Sequence, residues 1–535
     1  MLLSIISHPE MKTSLLYLRE LPLVWFLVGC LFASVGLFLS STSSPRNRFV
    51  LLRRIALAAG LLILVAYVTI NLYSFCCFTF QQDEANILSI SAAALRGLAV
   101  YNPPRSLDSS YSLMYGPFTF LIYWVVLIAG GAAHFWIIRG AVVLANLGLC
   151  AALYVLLRRF VSAFTAIALL TFPLSILLQH AEIALGVRSD IWIVLFTTLA
   201  IMCSFIEMEL PAIILTGIMG GIVVGLKISA GPAILYPLLV LYRRFGLRAV
   251  VISFLTASAV TLAPFALPQF SLHNYISWLL FTRMEGVNAS TLFSNALFAL
   301  FLITPCLLME RFIRRFGLTF RQRLPELFLI ALCLFLALLT SKAGSDPHYF
   351  WHIIPSVVVY LALVARDMKD IPTKEQAVPV YCIAVACALF ACINIPRAYG
   401  HLRISLMRPD VGLAQQSINR YLEVYRDRSS IQMGYGSVDG DYRTLLRYIL
   451  VYKGEPYTLE GNTGRFETRL LPFPVNVLNR MENCRNDVWL VPHAQKPFEL
   501  WIFRNNLRKT FLENYSVDSS DGIYDAWTCN HAKTH

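Results

Sequence analysis

Charge is what this sequence has least of: charged residues make up 14% of its 535 positions, against about a quarter in a soluble globular domain. That shortage excludes an ordinary soluble enzyme. The formal surplus of +13 does not restore a nucleic-acid partner. The arginines and lysines sit in short clusters between apolar runs, where the positive-inside rule expects them. Cysteine in polar surroundings is also scarce. Cys30, Cys150, Cys203, Cys306, Cys333, Cys382, Cys387 and Cys392 lie inside apolar runs, where a thiol behaves as a small hydrophobe. That excludes a disulfide framework. Only Cys484 and Cys529 stand in a polar region, and they can pair if that region faces an oxidising compartment. There is no internal repeat, and STSSP at 41–45 is the only biased stretch. The missing repeat counts against a transporter of the inverted-repeat type.

What the sequence has in abundance is apolar runs near the length of about 20 residues that spans a bilayer. Twelve occur, at 21–40, 54–74, 137–157, 161–178, 190–206, 211–227, 230–243, 249–268, 291–309, 325–341, 350–365 and 379–395. The expected fold is therefore an all-α polytopic membrane domain of about 12 transmembrane helices over residues 1–395. Beyond residue 396 the composition becomes that of a soluble unit. There 429–436 (SSIQMGYG) and 487–492 (DVWLVP) predict strands and 441–453 and 497–513 predict helices, a small α/β domain over 396–535.

Orientation follows from the basic clusters. Arg46, Arg48, Arg53 and Arg54 follow the first run, Arg158 and Arg159 the third, Arg243, Arg244 and Arg248 the seventh, and Arg311, Arg314, Arg315, Arg321 and Arg323 the ninth. All share one side, the cytoplasmic one. Both termini and a long loop at 76–136 then face outward. Gly116–Gly131 (GPFTFLIYWVVLIAGG) is apolar but short and aromatic. Counting it as a span would export Arg158 and Arg159, so it predicts an interfacial or re-entrant helix within that loop. The first run has no small-residue cleavage site after it and is expected to remain as a span.

Ionisable residues near a membrane are costly and therefore candidates for function. The segment QQDEANILSISAAALRGLAVYNPP (81–104) places Asp83 and Glu84 at the start of a helix expected to lie along the outer surface. An acidic pair there is suited to capping that helix. Other outward ends carry His180, Glu182, Arg188 and Asp190; Lys227; Arg283 and Glu285; and Lys342, Asp346, His348 and His352. Each alone has an ordinary explanation as a snorkelling or hydrogen-bonded group. Together they describe a polar cavity at one membrane face.

With these residues in view the chain resembles the C-type glycosyltransferase superfamily, which includes protein O-mannosyltransferases and lipid A aminoarabinose transferases. The likeness rests on DEANILSISAAALRGLAVY (83–101), YGPFTFLIYW (115–124), Arg139, LYVLLRRF (153–160), GLKISAG (225–231) and SKAGSDPHYFWHIIP (341–355), and covers most of 50–366. It implies a hexosyl- or pentosyltransferase of the bacterial inner membrane, its site and C-terminal domain on the periplasmic side. The donor would be a polyprenyl-phosphate sugar and the acceptor a glycan, lipid or protein.

The resemblance further implies Asp83 as the catalytic base with Glu84 as its substitute. Lys227 and Lys342 would meet the donor phosphate, backed by Arg188 and Arg283, with Asp190 among the substrate contacts. Where some relatives have Lys-Pro-Pro this chain has Tyr115-Gly116-Pro117, so Tyr115 joins the substrate contacts and the acceptor stays open. His348 and His352, four apart on one helical face, can hold acceptor, phosphate or a divalent metal ion. No other cofactor is implied. The alternative from another class is a transporter or flippase of a lipid-linked or acidic solute, which would place its polar groups near the bilayer midplane.

Overall fold

The computed structural model describes residues 45–76, 82–103, 115–131, 134–282, 286–313, 320–341, 347–367, 378–406, 411–428, 430–438, 441–459, 475–484, 487–500, 503 and 505–530. The first apolar run, 21–40, lies outside the described residues. Each of the other eleven falls on helix. The helices are α1 (Pro45–Ser74), α2 (Gln82–Leu95), α3 (Pro117–Val126), α4 (Phe135–Arg158), α5 (Ala163–Gln179), α6 (Asp190–Ser204), α7 (Glu209–Leu226), α8 (Leu235–Phe245), α9 (Leu247–Leu262), α10 (Leu272–Thr282), α11 (Ala289–Ile313), α12 (Phe320–Leu339), α13 (Ile354–Asp367) and α14 (Val378–Leu406).

Among the described residues, seven stretches are long and apolar enough to cross a membrane: Val50–Ser74, Phe135–Arg158, Glu209–Leu226, Leu247–Ala266, Ala289–Leu307, Pro347–Arg366 and Val380–Gly400. Shorter apolar helices occupy Pro117–Gly131, Ala163–Gln179, Asp190–Ser204 and Leu327–Leu339. The run at 230–243 is divided between a 3-10 turn, Ile228–Ile234, and α8, because Pro232 interrupts the helical ladder. In the bundle α14 packs on α5 and α1, while α7 lies between α6 and α9.

α14 continues through the expected junction at 395/396 with Pro396 inside it. Beyond it come α15 (Val411–Val424), β1 (Ser430–Met433), α16 (Arg447–Lys453), α17 (Val475–Glu482), β2 (Asp487–Pro492), α18 (Asn505–Asn514), β3 (Tyr515–Ser520) and β4 (Tyr524–Cys529). The sheet order is β1-β2-β4-β3, with β1 parallel to β2 and the other pairs antiparallel. Cys484 and Cys529 are disulfide-bonded. The helix expected over 497–513 is shorter and later. Phe498 takes φ 50° and packs edge-on against Trp489 and Phe511, so the chain enters the aromatic core there and helix begins only at Asn505.

α2 is covered on both sides. Residues Glu84 to Ala94 are buried, with α3 against one side of the helix and α16 against another. Its small residues allow this close approach, and the buried Ser89 and Ser91 hydroxyls donate back to the Ala85 and Ile87 carbonyls at 2.7 Å. The helix ends in a reversal at Gly97, φ 77°. There Gly97 N–H meets Ala94 O at 3.0 Å and Leu98 N–H meets Ala93 O at 3.0 Å, the paired bonds of a glycine C-cap.

Candidate active site

The first turn of α2 presents its two acids to different surroundings. Glu84 is fully buried and accepts from Arg139 Nη2 at 2.7 Å, with Arg139 equally buried. Arg139 also donates through Nη1 to the Leu185 carbonyl at 2.6 Å, so this pair ties α2 to α4 and to the turn after α5. Asp83 keeps 25% of its side chain exposed and pairs with Arg188 Nη1 at 2.9 Å. Of the two carboxylates, only Asp83 is open to an incoming molecule.

Arg188 is held in place through its backbone. Its carbonyl accepts from the Tyr123 hydroxyl of α3 at 3.1 Å, and nearby Ala184 O accepts from Asn146 Nδ2 of α4 at 2.9 Å. The guanidinium bridges two acids, reaching Asp190 Oδ2 through Nε at 3.1 Å as well as Asp83. Burial works against its charge, but the Asp83 and Asp190 carboxylates beside it outweigh that and hold it protonated.

Asp190 is the centre of the cluster. It opens α6, where a carboxylate is favoured by the free N–H groups of the first turn. Lys227 closes α7, where a cation is favoured by the last carbonyls. The two helix ends therefore meet with matched charges, Nζ to Oδ1 at 3.4 Å. His348 and His352, on the 3-10 helix Pro347–Ile353, bring their Nε2 atoms to 3.7 and 3.8 Å from the same Oδ1. The ring of Tyr349 lies 3.9 Å under the Lys227 ammonium and that of Tyr115 lies 5.3 Å from it, both within cation–π reach.

Tyr115 is placed by a close crossing of two backbones. Gly116 N–H donates to Leu226 O at 2.8 Å and Thr119 Oγ1 to the same carbonyl at 2.8 Å. A Cβ on Gly116 would overlap Gly225 O, so only glycine permits the contact. The Tyr115 carbonyl in turn accepts from the Tyr101 hydroxyl at 2.7 Å. Burial pushes the Tyr115 phenol up, so it stays protonated at neutral pH.

The structure thus brings Asp83, Arg188, Asp190, Lys227, Tyr115, His348 and His352 together and sets Glu84 behind them with Arg139. Lys342 and Arg283 lie outside the described residues. The donor set does not fit a divalent metal. The two imidazoles share Asp190 Oδ1 with the Lys227 ammonium, a fixed cation where an ion would sit. Among the described residues no cluster of three or more metal-type ligands occurs. Sequence reasoning did not give Arg139 its role, although an arginine inside an apolar run is itself a signal. It missed Tyr349 as well, which sits between two residues chosen for their imidazoles.

The fold is similar to that of ArnT. ArnT from Cupriavidus metallidurans bound to undecaprenyl phosphate has a TM-score of 0.51 and 14% identity over 87% of this chain and 97% of that one. The same protein in the apo state gives 0.50 with the same identity and coverage. A fainter likeness, TM-score 0.44 at 13% identity over 80% of this chain and 69% of that one, extends to the apo oligosaccharyltransferase of Archaeoglobus fulgidus. No family model and no curated protein matches the sequence. The fold is the one that the resemblance in 50–366 implied.

Proposed function

We propose that this chain is a membrane glycosyltransferase that moves one sugar from a polyprenyl-phosphate donor to an acceptor hydroxyl or amine. The observation that carries the reading is Asp83, an open carboxylate paired at 2.9 Å with Arg188 beside buried Lys227. It is supported by the ArnT fold and by the undecaprenyl phosphate to which that structural relative is bound.

Phosphate is a good leaving group, so the reaction needs a base for the acceptor and positive charge for the departing oxygens more than it needs a general acid. Asp83 takes the acceptor proton as the acceptor atom bonds to the sugar's anomeric carbon. The bond from that carbon to the phosphate oxygen breaks, and its electron pair passes to the phosphate. Arg188 and Lys227 receive the growing negative charge, and Asp190 keeps both aimed. Lys342 and Arg283 are proposed as further phosphate contacts, and His348, His352 and Tyr115 as neighbours of donor or acceptor.

The site and the C-terminal unit are proposed to face the periplasm of a bacterial inner membrane. The disulfide between Cys484 and Cys529 supports an oxidising side for that unit. The test is transfer by purified protein in detergent from a polyprenyl-phosphate sugar. Asp83→Asn is expected to lose about 100-fold or more in kcat, whereas full activity in both Asp83→Asn and Glu84→Gln would refute the catalytic assignment.

A further inference from the structure

Asn86 is the fourth polar residue in the first turns of α2, after Gln82, Asp83 and Glu84, and the proposed chemistry has no use for it. It is fully buried, and its side-chain oxygen accepts from Arg447 Nη2 and from the Tyr457 hydroxyl, the latter at 3.0 Å. Both donors belong to the C-terminal unit, more than 360 positions further along the chain. Arg447 is itself 2% exposed, gives Nη1 to Thr444 O at 3.2 Å and lies 5.4 Å over the Tyr435 ring. At the other end of α2, Arg96 Nη1 donates to Val451 O at 3.3 Å. One helix of the C-terminal unit, α16, therefore reaches α2 at both ends.

Helical geometry gives this contact a consequence. Successive residues turn by about 100°, so Glu84 and Asn86 point about 160° apart, with Asp83 between them on that arc, about 60° from Asn86 and about 100° from Glu84. Glu84 is fixed to the membrane bundle through Arg139, and Asn86 to the C-terminal unit through Arg447. A helix held along two nearly opposite lines cannot roll, and rolling is the motion that would swing Asp83 away from Arg188. Burying a guanidinium is costly. Apolar packing would join two units without that cost, so a directed hydrogen bond to a carboxamide is the distinguishing feature.

We infer that Asn86, Arg447 and Tyr457 form a lock by which the C-terminal unit sets the rotation of α2 and hence the aim of Asp83. These are positioning residues, and the inference rests on the reading of Asp83 as base. A reacting group displaced by about 1 Å can lose on the order of 100-fold in rate.

The experiment compares full-length Asn86→Leu, Arg447→Met, their double variant and the milder Tyr457→Phe in detergent. Each large substitution is expected to lower kcat about 10- to 100-fold with KM for the prenyl-phosphate sugar within about twofold. The double variant should be no worse than the worse single, because both remove one interaction. Tyr457→Phe keeps the ring in place and guards against loss of fold. It should cost a smaller fraction of kcat. Losses that multiply in the double variant, or that fall on KM alone, overturn the lock.

Amide exchange over 82–95 supplies an arm that does not depend on turnover. It should quicken in Arg447→Met, and exchange equal to that of the parent chain overturns the lock even if transfer is impaired. If the parent chain transfers no sugar, the proposed function falls while the exchange measurement still decides the lock.

Discussion

Asp83 and Glu84 are neighbours with opposite circumstances, and that difference predicts separable losses. Glu84 and Arg139 are both fully buried, so removing one charge strands the other. A change such as Arg139→Met is expected to cost about 3–5 kcal/mol. Replacing both, with Glu84→Leu added, should recover much of that, because a buried ion pair exchanged for apolar packing is often near neutral. Thermal unfolding of the three proteins in detergent measures it. Asp83, being partly open, should behave in reverse, with Asp83→Asn close to the parent chain in unfolding temperature and deficient in transfer. If Asp83→Asn unfolded as readily as Arg139→Met, its lost activity would no longer mark it as the base.

At the scale of elements, the crossing of the Tyr115-Gly116-Pro117 turn over the end of α7 tests how the site is framed. Gly116→Ala drives a methyl group into Gly225 O, and neither partner is a flexible side chain that can yield. A cost of about 1–3 kcal/mol, the range for overpacking, is expected, together with weaker donor binding as Tyr115 shifts from Lys227. Titration with a prenyl phosphate reads the second effect, and unchanged affinity would separate Tyr115 from the donor. This framing was only partly legible beforehand. Apolar length marked the helices and clustered arginines marked their ends, because both signals are local. The acids of α2 and the cations at 188 and 227 could be nominated by charge alone. Nothing in SISAAAL announces a partner at Arg447, since a stretch of small residues reads the same beside solvent as beside another helix. The helix start at Asn505 was misplaced for a related reason, because Phe498 leaves helical geometry to reach an aromatic core assembled from distant strands.

For the whole molecule, the issue is whether the C-terminal unit is cargo or part of the machinery. Its sheet is closed by a disulfide joining positions 45 apart, from the residues after α17 to the end of β4. Closing a loop of that length removes unfolded-state entropy worth about 4 kcal/mol in the chain-entropy account. Cys484→Ser paired with Cys529→Ser should therefore melt this unit at a lower temperature and leave the membrane bundle, which among the described residues shares no disulfide with the sheet, nearly unchanged. If α16 sets the rotation of α2, transfer in that variant must fail at the temperature where the sheet becomes open to protease, below the temperature where the bundle loses its helicity. Following activity, cleavage beyond residue 411 and helical circular dichroism on one temperature ramp places the three midpoints. Transfer that survived cleavage of the sheet would make the unit dispensable for turnover. Loss of transfer coincident with the sheet and ahead of the bundle would mean that the acid's aim is maintained from outside the membrane domain, through contacts on α2 that no span-by-span reading contains.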